Sequence, residues 1–366
     1  MLAAASAAAI AGAGAAAAPS AWAGQAPSSF IGSFHRLSTI ASTVPGNGDV
    51  NPYGVAVVRH SRGRLHQGDV LVSNFNDKAN LQGTGKTIVE VSPGGMRTTF
   101  AHITAVGLPG ACPGGIGLTT ALVVTHGWVI VGSLPSADGM AKTSKSGCLI
   151  VLDSNGMVRE TISGHGINGP WDMTAVDHRH SAALFVTNVL NGTVRAGGKV
   201  VHHGTVLRLM LGFHQGSMPR LRSVTKIGSG FGEQTNSTTF VVAPTGVGFS
   251  HGWLYVADTG GNRITAIPDA LSRHTSAGTG QVLTSGGALS NPLGLAIAPN
   301  GDVLTVNGAN GRIVETSPAG VQVAMRFLDR SSSPPGNGAL FGLAVAPHGA
   351  GVYYVDDAVN TLRVLH

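Results

Sequence analysis

Residues 244–267 read PTGVGFSHGWLYVADTGGNRITAI: a Pro/Gly entry, a short apolar run, a His-Gly turn, a second apolar run closing on Asp258, and a third run after a tight turn. Residues 291–317 (NPLGLAIAPNGDVLTVNGANGRIVETS) repeat it almost element for element. Short apolar runs of strand length, punctuated by turn residues, form a small antiparallel sheet. Such a sheet buries its faces only against copies of itself, and serial copies stack radially into a β-propeller.

Aligning the copies on the small residue that opens each first strand gives the column Gly54, Ala121, Asp172, Gly246, Gly294 and Gly342, spaced 67, 51, 74, 48 and 48 residues apart. Six blades follow. Second strands then end on Asn74, Ser133, Asn188, Asp258, Asn307 and Asp356, and third strands start at Thr87, Cys148, Thr205, Arg263, Arg312 and Thr361. Fourth strands are expected at 97–102, 158–163, 221–227, 281–284 and 321–327, which leaves the sixth blade one strand short. Residues 35–43 (HRLSTIAST), ahead of the first blade, have fourth-strand character. The expectation is an all-β, six-bladed propeller of four-stranded blades, closed by this N-terminal strand so that no edge is left open.

Residues 24–366 form a single domain in this reading, because a propeller grows by adding blades rather than by thickening one core. The 54 glycines and a charged fraction of 11%, against roughly 25% in an average soluble protein, suit a rigid protein of tight turns. Residues 1–23, an Ala-rich run ending in Ala21-Trp22-Ala23, have the pattern of a cleaved export signal, although no Lys or Arg precedes the run. A secreted or periplasmic protein without a membrane span is expected. The net charge of +6 comes from scattered basic residues, a distribution that argues against a nucleic-acid partner but suits loose attraction to anionic cell-surface polymers. Cys112 and Cys148, in an exported chain, are expected to pair and close a 36-residue loop. Neither has the CxxC spacing of a metal site.

The repeat resembles the NHL repeat, whose Asn-Pro-x-Gly-aliphatic, Val-Ala-Asp and Asn-x-Arg-Ile elements are matched by residues 51–57, 256–264 and 291–297. Blade 1 and residues 111–174 also resemble bacterial exported NHL-type proteins of unassigned activity. The resemblance implies the fold more than the function, since propellers host lyases, hydrolases and pure binding modules.

Two asymmetries mark a candidate site. Between second and third strands, blades 1, 2 and 3 carry 12, 14 and 16 residues (75–86, 134–147 and 189–204), whereas blades 4 to 6 carry four each. Half of one face therefore has a raised polar lip, where binding specificity usually resides. The second asymmetry is Asp172, the one charged member of a column kept small where the innermost strands crowd the axis. With Asn168 and Trp171 it would line the channel mouth beneath the lip, as a cation, sugar or amine site or as a general base. It could equally accept N–H groups of its own turn. His165 is the nearest candidate catalytic partner, and His202 and His203 sit on the blade 3 lip.

Asn74 and Asn188 belong to the Asn/Asp column, where Asx-turn chemistry competes with ligand contact at the rim. In gluconolactonase and SMP-30 propellers, metal ligands precede the small-residue column. Here those positions hold Tyr53, Thr120, Trp171, Thr245, Leu293 and Phe341, so no metal and no cofactor is expected there. Three classes stay open: a monomeric binding scaffold for a peptide, glycan or protein, with a small molecule as a further candidate partner at the channel mouth; a hydrolase or lyase centred on Asp172; and a structural wall protein. The first is favoured, because no acid/base set can be assembled from spacing alone.

Overall fold

The His-Gly pairs of blades 2 and 4, between first and second strands, are two-residue hairpin turns. His126 and Gly127 have φ of 51° and 78°, and His251 and Gly252 have φ of 48° and 86°. Both central residues thus lie in the left-handed region, the turn whose twist matches the flanking strands. The apolar runs on either side are rich in β-branched and aromatic residues, which fit a pleated, half-buried surface.

The computed structural model describes residues 29–214, 217–236 and 240–366, and its strands form six four-stranded antiparallel sheets. An N-terminal strand, β1 (Leu37–Ser42), precedes the first blade. Blade 1 is β2 (Val50–Val57), β3 (Val70–Asn76), β4 (Thr87–Val91) and β5 (Arg97–His102). Blade 2 is β6 (Leu118–Thr125), β7 (Trp128–Ser133), β8 (Cys148–Leu152) and β9 (Val158–Ile162). Blade 3 is β10 (Pro170–His178), β11 (Ser181–Asn188), β12 (Val201–Gly212) and β13 (Arg220–Glu233). Blade 4 is β14 (Pro244–Ser250), β15 (Trp253–Asp258), β16 (Arg263–Ile267) and β17 (Gln281–Ser285). Blade 5 is β18 (Pro292–Ile297), β19 (Val303–Asn307), β20 (Arg312–Thr316) and β21 (Gln322–Phe327). Blade 6 is β22 (Leu340–Val345), β23 (Val352–Asp356) and β24 (Thr361–Leu365), completed by β1.

The closure is as expected: β1 runs antiparallel to β24, with Leu37 opposite Leu365 and Ser42 opposite Thr361. Five of the six third strands begin at the expected residue. Blade 3 differs, because β12 starts at Val201 rather than Thr205 and pairs there with Glu233 at the end of an extended β13. Part of the blade 3 lip is therefore β-ladder rather than loop. Residues 1–23, the expected export segment, lie outside the described residues. Among the described residues no helix is long and apolar enough to cross a membrane.

The core is a set of interblade layers, such as the one joining Leu71 and Ile88 of blade 1 to Leu122, Val131 and Ile150 of blade 2. Buried hydroxyls staple blade to blade: Ser73 Oγ donates to Thr119 O at 2.7 Å, Thr119 Oγ1 to Pro170 O at 2.8 Å, Thr187 Oγ1 to Thr245 O at 2.9 Å and Thr259 Oγ1 to Pro292 O at 2.7 Å. Each satisfies a buried carbonyl that a neighbouring strand cannot reach. Cys112 and Cys148 are disulfide-bonded, with Cα atoms 5.2 Å apart. The bond ties the entry of blade 2 to the start of β8.

Candidate functional site

Every innermost strand breaks register at the same level: between Pro52 and Gly54, Leu118 and Leu122, Pro170 and Met173, Pro244 and Val247, Pro292 and Leu295, and Leu340 and Leu343. A bulge turns the strand and re-aims its side chains. The small-residue column sits at this bulge. A Cβ at Gly342 would fall 2.0 Å from Tyr53 O, and one at Gly294 would fall 2.0 Å from Phe341 O. The crowding therefore comes from the next blade's backbone rather than from the axis.

Asp172 uses that proximity differently. Its Oδ2 accepts the backbone N–H of Val247 on blade 4 at 3.1 Å, so the carboxylate joins two blades. It also lines a central cavity of about 300 Å³ whose walls include Arg59, Thr120, Val124, Phe249, Ile297 and Val345. Burial pushes the carboxyl up to about 7, against smaller lowering by the Met173 and Val247 N–H groups. No cationic side chain is paired with it among the described residues.

The residues just before the column close the axis on the loop face. Tyr53 stacks on Phe341 at 3.9 Å and on Phe75 at 4.6 Å between ring centroids, and its ring meets Trp171 edge-on at 5.9 Å. Phe240, from the segment ahead of blade 4, packs against Phe75 at 5.5 Å. Leu134, Ala141, Val189 and Leu190 of the lip lie over the same cluster. The expected open mouth beneath the lip is thus filled by aromatic rings. Asp172 lies below them, and its cavity extends along the inner strands toward the hairpin-turn face. The gluconolactonase-type metal does not fit these positions, which offer rings, hydroxyls and an aliphatic chain in place of carboxylates.

The other candidates are dispersed. Asn168 is spent on the lip: its N–H donates to Asn188 Oδ1 at 2.7 Å, and its Nδ2 to Leu190 O at 2.8 Å. Asn188 is buried and also donates to Thr205 Oγ1 at 3.0 Å, while buried Asn74 donates to Thr43 O at 3.0 Å. Both amides tie the end of their second strand to segments distant in sequence, and neither accepts the N–H of its own following turn among the described residues. His165 does not line the Asp172 cavity. It borders a separate recess of about 710 Å³ on blade 3, together with His202, His203, Asn191 and Lys226. Below this recess the buried Glu233 accepts the Asn191 N–H at 2.9 Å, and burial pushes its carboxyl up to about 7. Glu233 carried no sequence signal, because only the extended β12–β13 ladder brings it under the lip.

The lip is a braced rim. The blade 1 and blade 2 loops are joined by the Ser136 N–H to Gly83 O at 2.9 Å, and blade 2 meets blade 3 where Ser146 Oγ contacts Asn168 Oδ1 at 3.0 Å. Its two carboxylates each bond within their own turn: Asp77 Oδ1 caps the N–H groups of Ala79 and Leu81, and Asp138 Oδ1 accepts from Met140 N and Thr143 Oγ1. Its cations, Lys78, Lys86, Lys142, Lys145, Arg195 and Lys199, are all exposed and form no ion pair among the described residues.

No protein-family model matches the sequence, and comparison with curated proteins finds no match. Solved structures do resemble the fold. A putative gluconolactonase aligns with a TM-score of 0.57 at 15% identity, covering 90% of this chain and 91% of its own. A gluconolactonase from Xanthomonas campestris aligns with a TM-score of 0.54 at 15% identity, covering 90% and 88%. Regucalcin from Agrobacterium tumefaciens, described as a calcium-binding protein, aligns with a TM-score of 0.52 at 12% identity, covering 89% and 93%. At these identities the likeness establishes a shared six-bladed propeller fold.

Proposed function

We propose that this protein is an exported NHL-like propeller that works as a binding scaffold, presenting the lip of blades 1 to 3 to a peptide, glycan or protein that carries negative charge. The observation behind this reading is the charge arrangement of the rim. Six exposed cations stand on loops that carry only two carboxylates, each hydrogen-bonded within its own turn, so the rim keeps a net positive charge. The aromatic cluster beneath removes the axial pocket from that face, so a partner docks across the rim rather than into it. Rigid loops lose little entropy on binding, which favours a preformed surface. The disulfide is compatible with an extracellular or periplasmic location.

The test is binding to polygalacturonate and to poly-glutamate, measured by biolayer interferometry at several salt concentrations. Reversing Lys142, Lys145, Arg195 and Lys199 to Glu is expected to abolish binding. Reversing Arg36, Arg97, Arg179 and Arg220, exposed on the hairpin-turn face, is the control of equal net charge and is expected to retain most of it. Equal losses in both variants would mean that overall charge alone attracts the polymer.

The second reading is a hydrolase or lyase in the central cavity. Asp172 favours it, as a carboxyl that burial has brought near neutrality in an enclosed space. Loss of a discovered turnover in Asp172→Asn, with folding intact, would support that reading over the scaffold.

A further inference from the structure

On the hairpin-turn face, away from the lip, His66, Asp69 and Glu90 turn one ligand atom each toward a common point, all within 4.8 Å of one another. His66 and Asp69 come from the connection between β2 and β3, and Glu90 from β4. The connection is held in place by the Asp69 N–H to His66 O at 3.1 Å and the Val58 N–H to Asp69 O at 2.9 Å. His66 Nδ1 lies 3.7 Å from Glu90 Oε1 and 3.9 Å from Asp69 Oδ2. We propose that these three side chains form a binding site for a first-row divalent transition-metal ion of the zinc type, pinning the blade 1 hairpin connection to β4.

The donor set carries the choice of ion. One imidazole nitrogen and two carboxylates suit zinc or a neighbouring ion, whereas calcium seeks six to eight oxygens. Tetrahedral zinc with bonds of about 2.0 Å places its ligand atoms about 3.3 Å apart, so the cluster needs only a modest contraction. His66 supplies it easily, since 69% of its side chain is exposed and free to move.

The carboxylates are otherwise poorly served. The Glu90 side chain is 4% exposed, and among the described residues its one hydrogen bond is the His66 N–H to Oε1 at 3.0 Å. The Asp69 side chain is 13% exposed and accepts no hydrogen bond among the described residues, its nearest ionisable partner being His66. Arg64 is the one other cation whose field reaches Glu90, but its guanidinium is committed to the carbonyls of Thr99, Phe100 and Asn155. Tyr353 on β23 borders Asp69 and brings no positive charge. Two nearly buried carboxylates that lie this close and are hydrogen-bonded to no cationic side chain among the described residues are stabilised by a metal ion between them.

The test uses the full chain stripped with EDTA and titrated with zinc chloride by calorimetry, with melting temperatures read in parallel. Wild type is expected to bind zinc and to melt higher with it. Because the other histidines can also take up zinc, the difference between variants is the readout. His66→Gln, at an exposed position, should leave the metal-free melting temperature unchanged and weaken one site by roughly tenfold or more. Asp69→Asn should do the same, and Glu90→Gln provides a check from the strand side. Zinc binding and melting shifts in His66→Gln and Asp69→Asn that equal those of wild type, or no zinc-dependent shift in wild type, would overturn the proposal.

Discussion

The carboxylate of Glu315 on β20 accepts the backbone N–H of Ile31 at 2.8 Å, across 284 residues of sequence. It also takes the Phe30 N–H at 2.6 Å and the Ser29 hydroxyl at 2.7 Å, so blade 5 grips the chain just before β1 completes blade 6. Ile31 itself is fully buried in the layer between those blades. Closure of the ring thus has two parts, a strand pairing and a polar clamp.

Deleting residues 24–43 is expected to expose β24 as a free edge, with aggregation or a large drop in melting temperature. Glu315→Ala keeps the strand and removes the clamp. Stranding the buried N–H groups at Phe30 and Ile31 costs about 1–3 kcal/mol each. Urea titration distinguishes the two, and a deletion variant as stable as wild type would refute closure.

Reduction of Cys112–Cys148 should lower stability by about 3–4 kcal/mol, the loop entropy released to the unfolded chain by a 36-residue cross-link. Denaturant midpoints with and without reductant measure it. Free-thiol titration of the native protein should find no thiol.

Trp171→Ala should cost about 3–5 kcal/mol, because it removes a ring in contact with Tyr53, Phe75 and Phe240. If the lip rests on this cluster, binding of polygalacturonate should weaken as well. Trp171→Phe, which keeps an aromatic ring, should lose less of both.

Asp172 sets a pH dependence whose sign can be worked out. Its folded value of about 7 lies above the unfolded 3.8, so the folded state holds the proton more tightly. Its contribution is full below pH 3.8 and is lost as pH rises through about 7. Asp172→Asn, which mimics the protonated acid, should therefore gain on wild type between pH 4 and 8, by up to about 4 kcal/mol less whatever channel water recovers. Thermal melts of both proteins at pH 4, 6 and 8 test this. A constant difference would mean that the carboxyl does not titrate in that window.

Much of the fold was legible because its signals are local. The spacing of the column ending in Gly294 and Gly342, and the turn residues between strands, follow from short-range backbone chemistry, and 35–43 stood out as a strand without a blade. The blade 3 ladder is not legible at Val201, because a polar segment can be loop or strand depending on its partner, here Glu233. The candidate site was less legible still. Asp172 was singled out by its place in the column, yet neither the Val247 bond nor the direction in which its cavity opens leaves a mark on the residues around it.

Sequence by itself determined the blade count, the closing strand and the cysteine pair, since repeat period, turn residues and strand propensity act over a few residues at a time. Tertiary structure alone decided that Tyr53, Trp171 and Phe341 meet as one cluster, that His165 and Asp172 belong to different cavities, and that His66 and Asp69 face Glu90. Those juxtapositions depend on how blades rotate and strands twist against one another, a relation between residues far apart in the chain that no local spacing encodes.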